Sequence, residues 1–290
     1  MARLAVAATA PFGADVLERL AGRHEIPYLL TRPDRERGRG RKVGPPPAKE
    51  TAERLGIPVR QPERLDEGFD PELDTLVVVA YGQLVPAVLL ERARWLNVHP
   101  SLLPRWRGAA PVERALMAGD SDTGVSIIEL VEALDAGPIG AQQAFAVEPD
   151  DDAGTVFARA AELTPDLVDA ALANPAPEPQ PDDGITYAEK IEPTDRELDW
   201  SRPPAELHDR IRALSPHIGA WVELPGDERM GVVQARATDD RVEAGRIDAR
   251  DGRLLFGCSD GALELLEVKP PGGRAMDAEA WLRGHSGRLV

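Results

Sequence analysis

Leu76–Ala80 (LVVVA) is an unbroken apolar run, mostly β-branched, with no polar member. A strand with one wet face alternates polar and apolar residues; a continuous run like this one is expected where both faces of a central strand are covered. Its neighbours agree. Arg3–Ala8 (RLAVAA) is a second strand-type run, followed by a loop with Pro11 and Gly13. Ala14–Leu20 then places Val16, Leu17 and Leu20 on one side of a helix, and Ile26–Leu30 is again strand-like. This β-α-β spacing predicts a parallel sheet. The first turn lacks G-x-G-x-x-G, so a dinucleotide site is not indicated. The LVVVA run ends in Tyr81-Gly82, at the carboxyl end where open α/β sheets bind their ligands, and Leu84–Leu90 reads as the helix after it.

The next strand-and-loop is Trp95–Pro111 (WLNVHPSLLPRWRGAAP). If Trp95–His99 is extended, Asn97 and His99 share a face, because side chains two apart in a strand point the same way. A carboxamide beside an imidazole makes a small polar site; the alternative is a satisfied His in a tight turn. Downstream, Glu132–Gly140 (EALDAGPIG) places Asp135 between Leu134 and Ala136, which suits a turn residue or cap as well as a catalyst. No cluster has metal-ligand spacing: His24, His99, His208, His217 and His285 are scattered.

At 290 residues the chain is long enough for two domains. Ala48–Leu55 is predicted helical, Pro58–Gln61 a brief strand, and Ala109–Ala118 a helix with Pro111 in its first turn. Val125–Leu130 and Ala141–Val147 are strand-like, and Thr155–Ala173 is helical with a break expected at Pro165. Asn174–Asp183 (NPAPEPQPDD) is the clearest boundary, a Pro-rich acidic linker. After it comes one helix, Ala205–Leu214. Short β-like segments then follow at Ala220–Leu224, Gly231–Ala237, Arg253–Cys258 and Leu263–Val268, as in a small antiparallel barrel. The expected division is 1–173 for the sheet domain, 174–199 for the linker and 200–290 for the barrel. The fold class read from the residues is α/β, a mostly parallel sheet joined to a small antiparallel β-barrel.

The net charge of −16 argues at first against a nucleic-acid partner, but its distribution matters more. Residues 148–199 hold 15 Asp/Glu against 3 Lys/Arg, so the flanks stay close to neutral. Arg32–Lys42 (RPDRERGRGRK) carries six basic residues against two acidic ones. Its Gly and Pro density predicts an irregular, mobile and exposed segment. Such a segment is either a solvated loop or, through Arg forks and accessible backbone amides, a phosphate contact. The single Cys258 excludes an internal disulfide and fits a reducing compartment. The first apolar run, Leu4–Ala10, is too short to span a membrane and lacks the features of a signal peptide. A cytoplasmic protein with no membrane partner is expected, and nothing demands more than a monomer.

Asn97-Val98-His99, Ser101–Pro104 and Arg105–Pro111 closely resemble the signature of the folate-dependent formyltransferases. Leu134–Gly137 is similar to the family's second signature, with its Asp in place. The likeness extends to Thr31–Lys42 (TRPDRERGRGRK), Ala80–Pro86 (AYGQLVP), Thr186–Ile191 (TYAEKI) and Lys269–Met276 (KPPGGRAM), so it covers nearly the whole chain. The resemblance implies transfer of a formyl group from 10-formyltetrahydrofolate to the amino group of methionine on initiator tRNA, with no metal. It makes the sheet domain a Rossmann-like catalytic domain and the barrel OB-like, with Asn97, His99 and Asp135 the catalytic set. It places Ser101, Leu102, Leu103 and Pro104, with Tyr81, Gly82 and Leu84, against the folate. Arg32, Arg35, Arg37, Arg39, Arg41 and Lys42 match the insertion that meets the tRNA acceptor end, and the barrel would bind tRNA as well.

There are departures from the family pattern. Pro100 stands where the family usually has Gly, Ala8 and Ala10 replace a Gly and a Pro of the first loop, Phe12 is retained, and Pro138 replaces an Asp. The residue types suit the chemistry: Asn97 can donate to the formyl oxygen, a protonated His99 can stabilise the oxyanion, and Asp135 can hold His99 charged and assist proton removal. A His near its ordinary pKa would serve at neutral pH. Other readings are the same reaction on a nucleotide-linked amino sugar, a non-catalytic RNA-binding protein, and a hydrolase releasing formate. The basic loop, the barrel and TYAEKI favour tRNA. The 4% aromatic content offers few stacking surfaces for a purely RNA-binding role.

Overall fold

A computed structural model describes residues 1–37, 42–224 and 228–285. The chain folds as two compact units. One comprises Met1–Pro111, Asp122–Phe145 and Phe157–Ala188; the other comprises Val112–Ser121, Ala146–Val156 and Glu189–Val290.

The first unit is built on a seven-stranded sheet in the order Ile139–Ala146, Asp122–Glu129, Arg94–His99, Thr75–Val79, Ala5–Ala8, Leu29–Leu30, Val59–Arg60. Pairing is parallel from Arg94–His99 to Val59–Arg60 and becomes antiparallel between Arg94–His99 and Asp122–Glu129. The LVVVA run is central, as its composition requires. Val77 and Val79 enter one apolar core with Val6, Ala8, Leu96 and Val98, while Leu76 and Val78 enter another with Ala5, Ala7 and Trp95. Alternation therefore sends Asn97 and His99 to the Trp95 side of the strand.

Several segments depart from the sequence expectation, each for a physical reason. Leu84–Leu90 yields only the single turn Ala87–Leu90, because Pro86 acts as its N-cap and the residue before a proline avoids the helical region. Ala153–Ala173 runs as one helix through Pro165. Pro165 lacks the N–H that would bond back along the helix, and the Thr164 hydroxyl donates to the Ala160 carbonyl at 2.7 Å within the same turn. The basic loop contains regular structure on its two sides: Arg35–Arg37 pairs antiparallel with Lys42–Gly44, so the Gly and Pro density does not abolish order there.

The second unit carries an antiparallel sheet in the order Ala220–Leu224, Glu228–Thr238, Gly261–Lys269, Arg253–Cys258, Ile247–Arg250, with Met276–Asp277 also on Gly261–Lys269. A register shift between Val232 and Ala235 bends the long strand, as bulges do, and the sheet curls into an open half-barrel. Helices Pro204–Leu214 and Ala278–His285 pack Leu207, Ile211 and Trp281 onto Val222, Val232, Phe256 and Leu263. The strand Ile247–Arg250 and the last helix are absent from the sequence expectation: IDAR alternates for only four residues with Ala as one of its two apolar members, and the helix is short. No helix among the described residues is long and apolar enough to cross a membrane.

Candidate active site

Asn97 and His99 lie at the carboxyl end of the strand Arg94–His99, opposite Ile128 and Ser126 of its antiparallel neighbour. Both reach Asp135. Asn97 Nδ2 donates to Asp135 Oδ1 at 3.2 Å, and His99 Nδ1 stands 3.8 Å from Asp135 Oδ2. The sequence-predicted trio thus converges although Asp135 arrives from a separate loop. His99 is 4% exposed and Asp135 9%.

Two glycines make this convergence possible. The Gly108 N–H donates to Asp135 Oδ2 at 2.8 Å, and a Cβ on Gly108 would lie 2.5 Å from the Ala188 carbonyl oxygen. A Cβ on Gly137 would fall 1.7 Å from the Glu129 oxygen, so the Asp135 loop folds back against its own strand only with glycine there. Asp135 (φ 46°) and Trp106 (φ 66°) are both held in the left-handed region. Non-glycine residues persist there only when the surroundings over-determine them.

His99 Nε2 lies 2.8 Å from the Trp106 carbonyl oxygen. A carbonyl only accepts, so Nε2 carries a proton, and in the neutral ring Nδ1 presents its lone pair toward Asp135. Burial pushes the His99 pKa below its ordinary value, against the opposing pull of the Asp135 carboxylate and the Trp106 carbonyl. The expectation of an ordinary His pKa is therefore replaced: desolvation disfavours the imidazolium, and the resting ring is neutral at pH 7. Pro100 is buried directly after His99, and the Ser101 N–H donates to the His99 carbonyl at 2.9 Å. This is a three-residue turn, to which the fixed φ of proline is suited. Phe12 sits in the core against Phe157, with ring centroids 5.3 Å apart.

The Ser101–Pro104 segment satisfies its own polar groups. Ser101 Oγ donates to the Arg105 carbonyl at 2.8 Å. Ser126 Oγ donates to the Ser101 carbonyl at 2.6 Å and accepts from Leu103 N at 3.1 Å and Gln142 Nε2 at 2.7 Å. Gln142 also donates to the Leu103 carbonyl. With those groups consumed, what Leu102 and Pro104 have left to offer a ligand is their half-buried apolar side chains. Tyr81 and Gly82 follow the adjacent strand Thr75–Val79. The Tyr81 ring turns into the core, its hydroxyl has no hydrogen-bond partner among the described residues, and burial pushes that hydroxyl above the usual phenol range. Leu84 is 88% exposed. Sequence reasoning missed Ser126, whose signal is a hydroxyl inside the short apolar run Val125–Ile128.

Of the basic residues, Arg32 lies beside Gly82: a Cβ there would be 3.5 Å from the guanidinium. Arg35 is exposed, Arg37 and Lys42 contribute backbone to the hairpin, and Arg39 and Arg41 lie outside the described residues. Asp34 anchors the hairpin's base through Lys49 Nζ and Gln61 Nε2 at 2.8 and 2.7 Å. Among the described residues no three His, Cys, Asp or Glu side chains gather in a way that could hold a metal ion.

Fold and site define an enzyme of the formyl-transfer class. A family model described as "Formyl transferase" matches residues 2–172, and one described as "Formyl transferase, C-terminal domain" matches residues 190–286. The chain belongs to the formyl transferase family. It is 42% identical over 291 residues to the methionyl-tRNA formyltransferase of Paracoccus denitrificans, covering 95% of each chain. It is 42% identical over 305 residues to that of Halorhodospira halophila, covering 100% of this chain and 97% of the relative. Among solved structures, methionyl-tRNA formyltransferase from Clostridium thermocellum superposes with a TM-score of 0.59 at 16% identity, covering 84% of this chain and 97% of that one. HypX from Aquifex aeolicus in complex with tetrahydrofolic acid gives 0.67 at 19% identity, with this chain spanning about half (47%) of its length and covered to 99%. At these identities the structural likeness is one of fold.

Proposed function

We propose that this protein transfers the formyl group of 10-formyltetrahydrofolate to the α-amino group of methionine on initiator tRNA, giving N-formylmethionyl-tRNA, and that it acts in the cytoplasm as a monomer. Residues 1–173 carry the chemistry. Residues 200–290 bind tRNA, and Arg32, Arg35, Arg37, Arg39, Arg41 and Lys42 meet its acceptor end. The observation that carries the reading is the convergence of Asn97, His99 and Asp135 at one strand end.

The folate supplies the formyl group; this chain's residues orient it and manage charge and protons. Leu102 and Pro104 form the wall for its ring. Asn97 gives one N–H to Asp135, and its second N–H is the donor for the formyl oxygen as negative charge develops there. The amine lone pair adds to the formyl carbon, and its proton passes to Nδ1 of neutral His99. The resulting imidazolium is stabilised by Asp135, on the side the 3.8 Å approach leaves ready. As the bond from the formyl carbon to the folate nitrogen breaks, that nitrogen takes the proton from His99. The products are the N-formyl amine and tetrahydrofolate, and the ring returns to its resting tautomer.

A formylation assay comparing charged initiator tRNA with amino-sugar nucleotides tests the assignment. Formyl transfer to the tRNA alone is expected. Transfer to the amino sugar and not to the tRNA would replace the acceptor while leaving the reaction in place.

A further inference from the structure

The Pro-rich stretch that reads in sequence as a spacer lies across both loops of the active site. Glu178 exchanges backbone hydrogen bonds with Ile139, at 2.7 and 3.0 Å. Two residues on, Gln180 Nε2 donates to the Asp135 carbonyl at 2.7 Å and to the Gly137 carbonyl at 2.8 Å. Its Oε1 accepts from Arg107 Nε at 3.0 Å and Arg107 Nη2 at 2.7 Å. The amide's orientation follows from its partners, because carbonyls only accept and a guanidinium only donates. Further along, Thr186 Oγ1 accepts from the Trp106 N–H at 2.8 Å, and Tyr187–Ala188 pairs in parallel with Arg107–Gly108. One strap therefore holds the Asp135 loop and the residue, Trp106, whose carbonyl accepts the His99 Nε2 hydrogen bond. Pro179 and Pro181 flank Gln180 and narrow the backbone choices on either side of it.

We propose that Gln180 is a positioning residue of the active site: its carboxamide locks the Asp135 loop so that the carboxylate stands opposite His99 while Arg107 fixes the carboxamide in turn. The inference rests on the reading of Asn97, His99 and Asp135 as the reacting set. It makes the stretch part of the catalytic machinery and leaves no separate spacer between Glu178 and Ala188. Without the two N–H donors, the strap holds the Asp135 loop only through the Glu178–Ile139 pair four residues further on, and the carboxylate moves relative to the imidazole. Misplacement on the order of 1 Å at a reacting group costs roughly 10²-fold in rate.

Three variants decide the matter, each assayed for kcat, both KM values and thermal melting. Gln180→Met keeps the volume and removes both the donors and the acceptor. Gln180→Glu keeps the acceptor for Arg107 and sets an oxygen that only accepts against the Asp135 and Gly137 carbonyls; its melting temperature, read beside kcat, separates loss of positioning from loss of fold. Both should lose about 10- to 100-fold in kcat with KM little changed. In the Met variant the acid limb of the kcat profile should also move to lower pH. That limb reports neutral His99, whose pKa the carboxylate raises, so a more distant carboxylate lowers it. Near-normal turnover of Gln180→Glu would overturn the proposal, since Arg107 packing alone would then explain the residue. Asp135→Asn is the control: it should lower kcat and shift the acid limb in the same direction. If Asp135→Asn turns over normally, the reacting set itself is wrong; if it fails while both Gln180 variants are normal, only the strap's role is wrong.

Discussion

The two polar regions of the first unit are built in opposite ways. Around Asn97, His99 and Asp135 the geometry is fixed many times over: two residues in the left-handed region, two glycines that admit no side chain, and a strap bonded to both loops. The basic hairpin has one short ladder and an anchored base, with Arg35 open to solvent. The difference matches what each region would have to do. Proton transfer and oxyanion stabilisation depend on distances of a few tenths of an ångström. Attraction of a polyanion acts over a Debye length of about 8 Å at physiological salt and needs charge more than position. Substitutions in the first region should then register in kcat, and substitutions in the second in KM and its salt dependence.

The largest effect expected is from His99→Ala, which removes the proposed proton carrier. We expect kcat to fall by about 10³-fold, within the range for loss of a general acid–base group, with folate binding preserved. Single-turnover rates at saturating substrates, beside equilibrium binding of the folate, measure both quantities. Near-normal turnover would dissolve the contrast, because the over-determined region would then have no reacting centre.

How much of this was legible in the sequence varies by element. The central strand could be read from Leu76–Ala80 because burial on both faces leaves no room for a polar residue. Asn97 and His99 could be placed together because a strand repeats every two residues. Asp135 could not be paired with them by periodicity or spacing, since only tertiary folding closes that distance; its assignment came with the family resemblance. Gln180 and Thr186 were hidden by composition. Prolines and acids predict a spacer, and a single amide that binds two carbonyls leaves no periodic trace. Proline also misled at Pro165, where helical context overrode the local penalty. The Gly and Pro density misled at the basic loop, whose Arg35–Arg37 and Lys42–Gly44 segments pair as strands.

Ser126→Ala gives an intermediate effect and tests whether the rigidity of the site extends to the proposed folate wall. Ser126 is fully buried and serves Ser101, Leu103 and Gln142 at once. Removing the hydroxyl leaves a buried N–H and a buried carbonyl unpaired, a cost of about 1–3 kcal/mol. Chemical denaturation should show that loss. If the wall is held in the same over-determined way as the reacting set, KM for the formyl donor should rise about tenfold while KM for tRNA holds. A loss of stability with both KM values unchanged would confine the rigid region to Asn97, His99 and Asp135.

The smallest effect per residue is expected in the basic loop Arg32–Lys42. Replacing Arg39 and Arg41 together by Ala should raise KM for tRNA by roughly three- to tenfold and leave kcat at saturation unchanged. Each lost phosphate contact also lowers the slope of log affinity against log salt by about 0.7–0.9, so the double variant should flatten it by up to about two. The same exchange to Lys separates charge from geometry. Lysine retains the charge and loses the planar fork, so recovery of both KM and slope would mean that the loop works as a diffuse charge. A deficit that persists in the Lys variant would mean instead that bidentate geometry matters there, and the hairpin would then belong with the rigid region in kind.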